Sequence, residues 1–264
     1  MSVPLRILSY NVHKGFNADN RRFLLEEIRE GIRRVNADIV FLQEVVGQNR
    51  QNAQKHSNWV DAGQFEYLAD SVWSHYAYGR NAVYQHGHHG NAILSKYPII
   101  AVDNVDISVM RRSQRGLLFA KIAPGVQLVC AHMGLFAWER RRQLKRLDEQ
   151  LNDRVSGDDA LIIAGDFNDW HQRLHRRFLN LDLKEAFCEQ YGRPVKSFPS
   201  KRPLLPLDRV YFRGLTLRHA QLLHGEPWES LSDHCALYAE FELPGELNAA
   251  GGVKVNAPRI KKPR

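Results

Sequence analysis

Twice along this chain a short apolar run ends on a polar residue, passes into a helix-patterned stretch, and returns as a second apolar run that ends on an acid. In the first instance Leu5 to Tyr10 alternates as a strand does and stops at Asn11. Leu24, Ile28, Ile32 and Val35 then recur at helical spacing from about Arg21 to Arg34, and the short run Ile39 to Leu42 is closed by Gln43 and Glu44. In the second, Gln127 to Ala131 ends at His132, and a helix is expected from about Trp138 to Val155, with Leu144, Leu147, Leu151 and Val155 on one face. Ala160 to Ala164 follows and runs into Gly165, Asp166, Phe167 and Asn168. Apolar runs without alternation are the mark of strands covered on both faces, so each instance reads as a β-α-β unit.

Ala92 to Ser95, Leu117 to Ile122, Arg209 to Phe212, Leu217 to Leu223 and Cys235 to Leu243 are further strand candidates, and Arg173 to Leu181 reads as a short basic helix. Val46 to Asp61 is polar and reads as a long surface excursion. No linker separates the two units, so residues 1–243 are expected to form one domain. Residues 244–264, rich in Gly, Ala, Asn, Pro and Lys, are expected to be a disordered basic tail. With 264 residues the chain can bury a core without metal or disulfide staples. Cys130, Cys188 and Cys235 are widely spaced and odd in number, as expected for reduced thiols. No apolar run approaches the roughly 20 residues of a membrane span, and Met1 to Leu8 lacks a secretory profile. A cytoplasmic location without stable membrane insertion is therefore expected. The net charge is +8, and half of the excess lies beyond Leu243. The remainder suits an anionic substrate.

Residues that act on ligands gather just past the carboxyl ends of parallel strands. Asn11, Glu44, His132 and Asp166 occupy such ends, whereas Asn91, Asp208 and the pair Asp233, His234 precede their strands. If those strands run antiparallel to the others, their starts reach the same rim. Glu44, Asp166 and Asp233 together would raise each other's pKa unless a cation lay among them. Oxygen donors of this kind suit Mg²⁺ or Mn²⁺ better than zinc. Histidines beside such an ion can hold phosphoryl oxygens while a carboxylate aligns water, which is equipment for phosphoester hydrolysis. Taken singly, each residue has a plainer reading. Gly165 to Asn168 could be a turn, Ser232 to His234 a cap, and Glu44 a solvated loop residue.

Their order, however, resembles a known family. Ser9-Tyr10-Asn11, Leu42-Gln43-Glu44, Gly90 to Ser95, Ala131-His132, Gly165-Asp166-Phe167-Asn168, Leu207 to Val210 and Ser232-Asp233-His234 are similar to the motifs of the endonuclease/exonuclease/phosphatase superfamily, the DNase I-like fold. His132-Met133-Gly134-Leu135 followed by Arg140 and Gln143 resembles its bacterial, sphingomyelinase-like and YbhP-like branches, the bacterial YbhP-like branch above all. The resemblance implies a four-layer α-β-β-α sandwich, two mixed sheets packed face to face with helices outside. It implies metal ligands Glu44, Asn11 and, directly or through water, Asp233, with Mg²⁺ (or Mn²⁺) as cofactor. Asp166 would align or deprotonate water, and Asn168, His132 and His234 would contact phosphate, with Asp208 orienting His234. Arg115 and Asn91 would be further phosphate contacts. Some members carry an acid where this chain has His13, which argues against a second carboxylate-bound metal. The Gly87-His88-His89-Gly90 stretch is read as loop polarity, with the substrate cleft as the alternative.

The expected activity is that of a metal-dependent phosphoric ester hydrolase. Small molecules, lipid headgroups and nucleic acid, DNA or RNA, all fit as its substrate partner. A catalytically silent nucleic-acid or anionic-membrane binder is the competing class, but it would be expected to lack one of Glu44, Asp166, Asn168, Asp233 or His234, and all are present. The five tryptophans are scattered and are expected to pack in the core or cleft, and Arg140 to Arg142 are explained by a solvated helix face. With so much of the positive charge in the tail, a small or single-headgroup phosphoester is favoured over long duplex DNA. Removal of Gly245 to Arg264 is accordingly expected to leave kcat/KM for the best soluble substrate nearly unchanged, with a shallow salt dependence. Efficient plasmid cleavage whose steep salt slope flattens on removing the tail would contradict it.

Overall fold

The computed structural model describes residues 4–123, 125–157 and 159–243, so the expected tail lies outside the described residues. In chain order the elements are β1 (Pro4–Asn11), α1 (Leu25–Val35), β2 (Ile39–Asn49), α2 (Arg50–Lys55), α3 (Gln64–Ala69), β3 (His75–Tyr84), β4 (Gly87–Ser95), β5 (Ile99–Asp106), β6 (Gly116–Ile122) and β7 (Gln127–His132). They continue with α4 (Ala137–Arg154), β8 (Leu161–Asp166), α5 (His175–Leu179), β9 (Lys184–Glu185), α6 (Ala186–Tyr191), β10 (Asp208–Arg213), β11 (Thr216–Leu223), α7 (Trp228–Leu231) and β12 (Ala236–Glu242).

The strands form two six-stranded sheets, ordered β11-β12-β1-β2-β4-β3 and β5-β6-β7-β8-β10-β9. Each contains one parallel pair, β1 with β2 across α1 and β7 with β8 across α4. All other pairings are antiparallel. The side-chain alternation of a strand explains the sandwich. Leu5, Ile7, Ile39 and Phe41 of the first sheet meet Leu128, Cys130, Ile162 and Ala164 of the second in a shared buried core. The intervening residues face outward. Leu8, Tyr10, Val40 and Leu42 pack on Leu25, Ile28 and Ile32 of α1, and Val129, Ala131, Leu161 and Ile163 pack on Leu144, Leu147 and Leu151 of α4. Covered on both faces, β2, β7 and β8 carry apolar residues in succession and stand out as continuous runs, whereas β1, with Arg6 and Ser9, keeps an alternating look.

Three departures from the sequence reading have local causes. The excursion expected from Val46 is instead the continuation of β2 to Asn49, followed by α2. Between Leu42, opposite Ala92, and Val45, opposite Gly90, the two residues Gln43 and Glu44 face the single Asn91. This bulge, with Glu44 at φ +58°, interrupts the alternation and hides the strand. His88 and His89 belong to β4 and not to a loop. Strands β3 and β5 carry many exposed side chains, and β5 in particular has almost no buried face to leave a pattern.

The Asp166 end of β8 depends on a glycine. Gly165 has φ +148°, and a Cβ there would stand 1.9 Å from the carbonyl oxygen of Ala131 on the neighbouring parallel strand. Gly165→Ala is expected to lose about 3 kcal/mol or more in urea denaturation. Gly157→Ala, where a Cβ meets nothing within 4 Å, is expected to change stability by no more than about 0.5 kcal/mol.

Candidate active site

The pairing brings the polar strand ends to one rim. In the parallel pair β7–β8, His132 stands opposite Asp166, and in the antiparallel pair β8–β10, Asp208 stands opposite Asp166 from the other side. β12 runs antiparallel to β1, so Asp233 and His234, just before it, arrive beside Asn11 at the end of β1. Ser232 Oγ fixes that meeting by donating to the Asn11 carbonyl at 2.7 Å. The antiparallel arrangement expected for β10 and β12 is therefore the one observed.

Asp166 is the centre of the cluster and is 2% exposed. Its Oδ1 accepts the backbone N–H of Asn168 at 2.9 Å. Its Oδ2 accepts from Asn11 Nδ2 at 3.3 Å and lies 3.6 Å from His132 Nε2 and 3.8 Å from His234 Nε2. Burial holds this carboxyl above the usual carboxylate range, although the imidazole of His234 pulls the other way. On the far side of His234, Nδ1 donates to Asp208 Oδ2 at 2.9 Å. Burial would depress this histidine, but Asp208 overcomes it and, with help from Asp166 and Asp233, lifts it to about 10. His132 has no such partner. Burial and the nearby Arg115 guanidinium hold it well below the usual histidine value. The two imidazoles flanking Asp166 thus differ in charge near neutral pH, one cationic and one neutral.

Asp208 is itself anchored. Ser197 Oγ donates to its Oδ2 at 2.5 Å and accepts its backbone N–H at 3.2 Å. The Ser197–Ser200 segment is strapped to the residues around His234 by Ser200 N to the Asp233 carbonyl at 2.7 Å and Cys235 N to the Ser197 carbonyl at 2.8 Å. Phe198 lies with its ring centroid 4.9 Å from that of His234. Ser197 was not legible as a site residue, since it lies in an irregular segment with no periodicity.

Glu44, aimed by the bulge in β2, makes an ion pair and hydrogen bond with Lys14. Burial would raise this carboxyl, but Lys14, His132 and His13 hold it far below the usual range, as an anion. Lys14 reaches it from a tight turn after β1 in which His13 and Lys14 both have positive φ. Gln64 secures that turn, donating to the Lys14 carbonyl at 2.8 Å and accepting from Val46 N at 2.9 Å. Asp233 faces His13, with Oδ1 3.6 Å from Nδ1. Among the described residues no group of three or more His, Cys, Asp or Glu is arranged as a metal cage. The donors nonetheless fit a hard divalent ion that keeps most of its water. Glu44 is an anion already matched to a cation, and Asp166 lies within its electrostatic reach.

Two expected phosphate contacts differ in placement. Arg115 stands beside His132, with Nε donating to the Met133 carbonyl at 3.2 Å, and Asn168 Nδ2 reaches the same carbonyl at 3.0 Å. Asn91 is fully buried opposite the bulge, and its amide nitrogen donates to the Gly116 and Cys130 carbonyls at 2.9 and 3.2 Å. Its amide nitrogen is thus committed to tying the two sheets together. His89, read as loop polarity, is instead partly buried within electrostatic reach of Glu44, Lys14 and Arg115. Burial and Lys14 depress it to about 4. Asp208→Asn is expected to bring the His234 titration, followed by NMR of the imidazole protons, down from about 10 to below the ordinary histidine value. An unchanged titration would mean that Asp208 does not set the charge of His234.

A model of the Endonuclease/Exonuclease/phosphatase family matches residues 8–234. The Escherichia coli (strain K12) protein YbhP is 44% identical over 244 residues, which covers 90% of this chain and 96% of YbhP. Among solved structures, an endonuclease/exonuclease/phosphatase from Beutenbergia cavernae DSM 12333 superposes with a TM-score of 0.73 at 18% identity, over 92% of this chain and 72% of that one. D. rerio TDP2 complexed with a single-strand DNA product superposes with a TM-score of 0.64 at 17% identity, over 90% and 98%. These two likenesses are of fold.

Proposed function

This chain belongs to the endonuclease/exonuclease/phosphatase family, and we propose that it is a divalent-metal-dependent phosphoesterase that hydrolyses a phosphodiester or phosphomonoester by attack of water. The observation that carries this reading is the ring around one carboxylate oxygen. Asp166 Oδ2 has the Asn11 amide and two imidazoles within 3.3–3.8 Å, and one of those imidazoles is kept cationic by Asp208 behind it.

The residues divide the work by charge. Asp166, held above the ordinary carboxylate range by burial, orients a water and takes its proton as the water attacks phosphorus. Cationic His234 and the Arg115 guanidinium attract the non-bridging oxygens, and their attraction grows as negative charge builds in the transition state. Neutral His132 offers one N–H to the same oxygens. Asn168, whose backbone N–H and side chain are tied to Asp166 and Met133, holds the phosphate in line. Glu44 with Asn11, and Asp233 directly or through water, would hold Mg²⁺ or Mn²⁺, which when bound polarises a phosphoryl oxygen and steadies the leaving group.

The reading favours a small or single-headgroup phosphoester over long duplex DNA, because half of the net charge lies beyond Leu243. The three free cysteines suit action in the cytoplasm. A screen of the purified protein against DNA, RNA, lipid headgroups and sugar or inositol phosphates tests the substrate, with single-stranded DNA as the arm that would favour a nuclease. Chelation is expected to abolish turnover, and Mg²⁺ or Mn²⁺ to restore it. Full activity in excess chelator would overturn the mechanism. Asp166→Asn and His234→Ala are each expected to lower kcat by about 10²-fold or more. The double variant Asp208→Asn/His234→Ala should be little worse than His234→Ala alone, and additive losses would separate Asp208 from His234.

A further inference from the structure

Beside the rim, the first turn of α4 and residues 169–177 enclose a cavity of about 420 Å³ lined by Arg140, Arg141, Arg173, Arg176, Arg177 and Asp169. Arg141, Arg173, Arg176 and Arg177 are exposed, and none has an ion-pair partner among the described residues. The one acid in the wall is already occupied. Asp169 is 2% exposed, and its carboxylate accepts the backbone N–H groups of Arg173, Leu174 and His175 at 3.1, 2.7 and 3.3 Å. Arg140 is not part of a solvated helix face as its sequence position suggested. It is 2% exposed, donates to the Gly134 and Leu135 carbonyls at 3.2 and 2.6 Å, and lies 4.9 Å from the Trp170 ring centroid. It therefore braces the wall, and the lining carries five arginines against one carboxylate, Asp169, which leaves an excess of four positive charges around the space.

Ala137 lines this cavity too, and the residues on either side of it in the chain are apolar. Leu135, Phe136 and Trp138 are 53%, 54% and 46% exposed, so of the core or cleft packing expected for the tryptophans, Trp138 does not take the core. The Phe136 and Trp138 rings stack at 6.4 Å, and Arg142 lies 5.5 Å from the Trp138 ring centroid. Three large apolar side chains left in water beside a patch of positive charge mark a surface with a partner. Aromatic and aliphatic residues next to arginines suit a layer that is apolar inside and anionic outside. Nucleic acid suits it less well. Successive bases need successive open rings to stack on, but Trp138 and Trp170 each have an arginine against one face, and Leu135 offers no ring at all. The arginines also surround one bounded cavity, where a strand would need a groove that follows its backbone.

We propose that this lip seats the protein on an anionic phospholipid surface, with a headgroup phosphate in the arginine cavity and Leu135, Phe136 and Trp138 at the boundary between headgroups and acyl chains. The contact is peripheral, since no helix among the described residues is long and apolar enough to cross a membrane. The lip and the catalytic rim are built from the same two loops. Leu135 follows His132 by three residues, Asp169 follows Asn168 directly, and the Met133 carbonyl between them accepts from both Arg115 and Asn168. Docking the lip therefore presents the rim to the membrane. Resting on the phosphoesterase reading, this makes the substrate a phosphoester displayed at a lipid surface.

The test is sedimentation of the full-length chain with vesicles of phosphatidylcholine alone or mixed with phosphatidylglycerol. To remove the contribution of residues 244–264, it is repeated with Lys254, Arg259, Lys261, Lys262 and Arg264 all changed to Gln. The expected result is binding to the mixed vesicles only, with a blue shift of tryptophan fluorescence that Trp138→Phe abolishes. Arg173→Glu/Arg176→Glu/Arg177→Glu and Phe136→Ser/Trp138→Ser should each weaken binding by about tenfold or more. Circular dichroism melts establish that the variants are folded, and the triple change to Gln replaces the charge reversal if that variant fails to fold. Equal binding by wild type and both variants would overturn the proposal. Binding of a single-stranded oligonucleotide through the same arginines, or of inorganic phosphate alone, with no binding to vesicles, would overturn it as well. Because vesicle binding is read without turnover, failure of the phosphoesterase reading would leave this result intact, and the reverse also holds.

Discussion

Placing several carboxylates at one sheltered rim is costly unless each is given a cation, and this constraint organises the site. Glu44 has Lys14, and Asp208 has His234. Asp166 has no cation to itself. It shares the outer nitrogen of an imidazole already committed to Asp208, and its other neighbours are an amide and a neutral histidine. The carboxylate left least compensated is therefore the one best suited to accept a proton. The same arrangement divides the rim into a side built on the Glu44–Lys14 pair and a side of nitrogen donors at His132, His234 and Arg115.

The fold serves this arrangement through pairing directions. In each sheet a single parallel pair sends two strand ends to the rim, and antiparallel neighbours return to it, so that Asp208 and His234 begin where Asp166 and Asn11 end. No long loop has to reach across the molecule. The shared core between the sheets then fixes the two halves of the site relative to each other, and Asn91 reinforces it with hydrogen bonds to β6 and β7.

What could be read in the sequence follows from burial. The doubly covered strands stand out by their apolar residues, and Asn11, His132 and Asp166, which close β1, β7 and β8, could be picked out by position alone, whereas Glu44, read as the end of its strand, sits at a bulge within β2, which runs on to Asn49. Edge strands β3 and β5 leave little pattern because much of each faces solvent. Lys14 and Ser197 were invisible for a different reason. Lys14 meets Glu44 only because a left-handed turn and a bulge both re-aim side chains, and Ser197 meets Asp208 only through the tertiary course of an irregular segment. Asn91 was legible as a rim residue but not as a tie between sheets, because its hydrogen-bond partners are backbone carbonyls of strands distant in sequence.

The strap that binds the Ser197–Ser200 segment to Asp233 and Cys235 holds His234 from both sides, while Ser197 fixes the carboxylate behind it. An imidazolium held in this way behaves as a stationary electrode. Its field stands at the rim before any substrate arrives, so little dipole reorientation is needed as charge develops on a phosphoryl group. The free energy of ordering that field belongs to folding and not to the reaction coordinate. On the phosphoesterase reading, reorienting His234 therefore adds little to the entropy of activation.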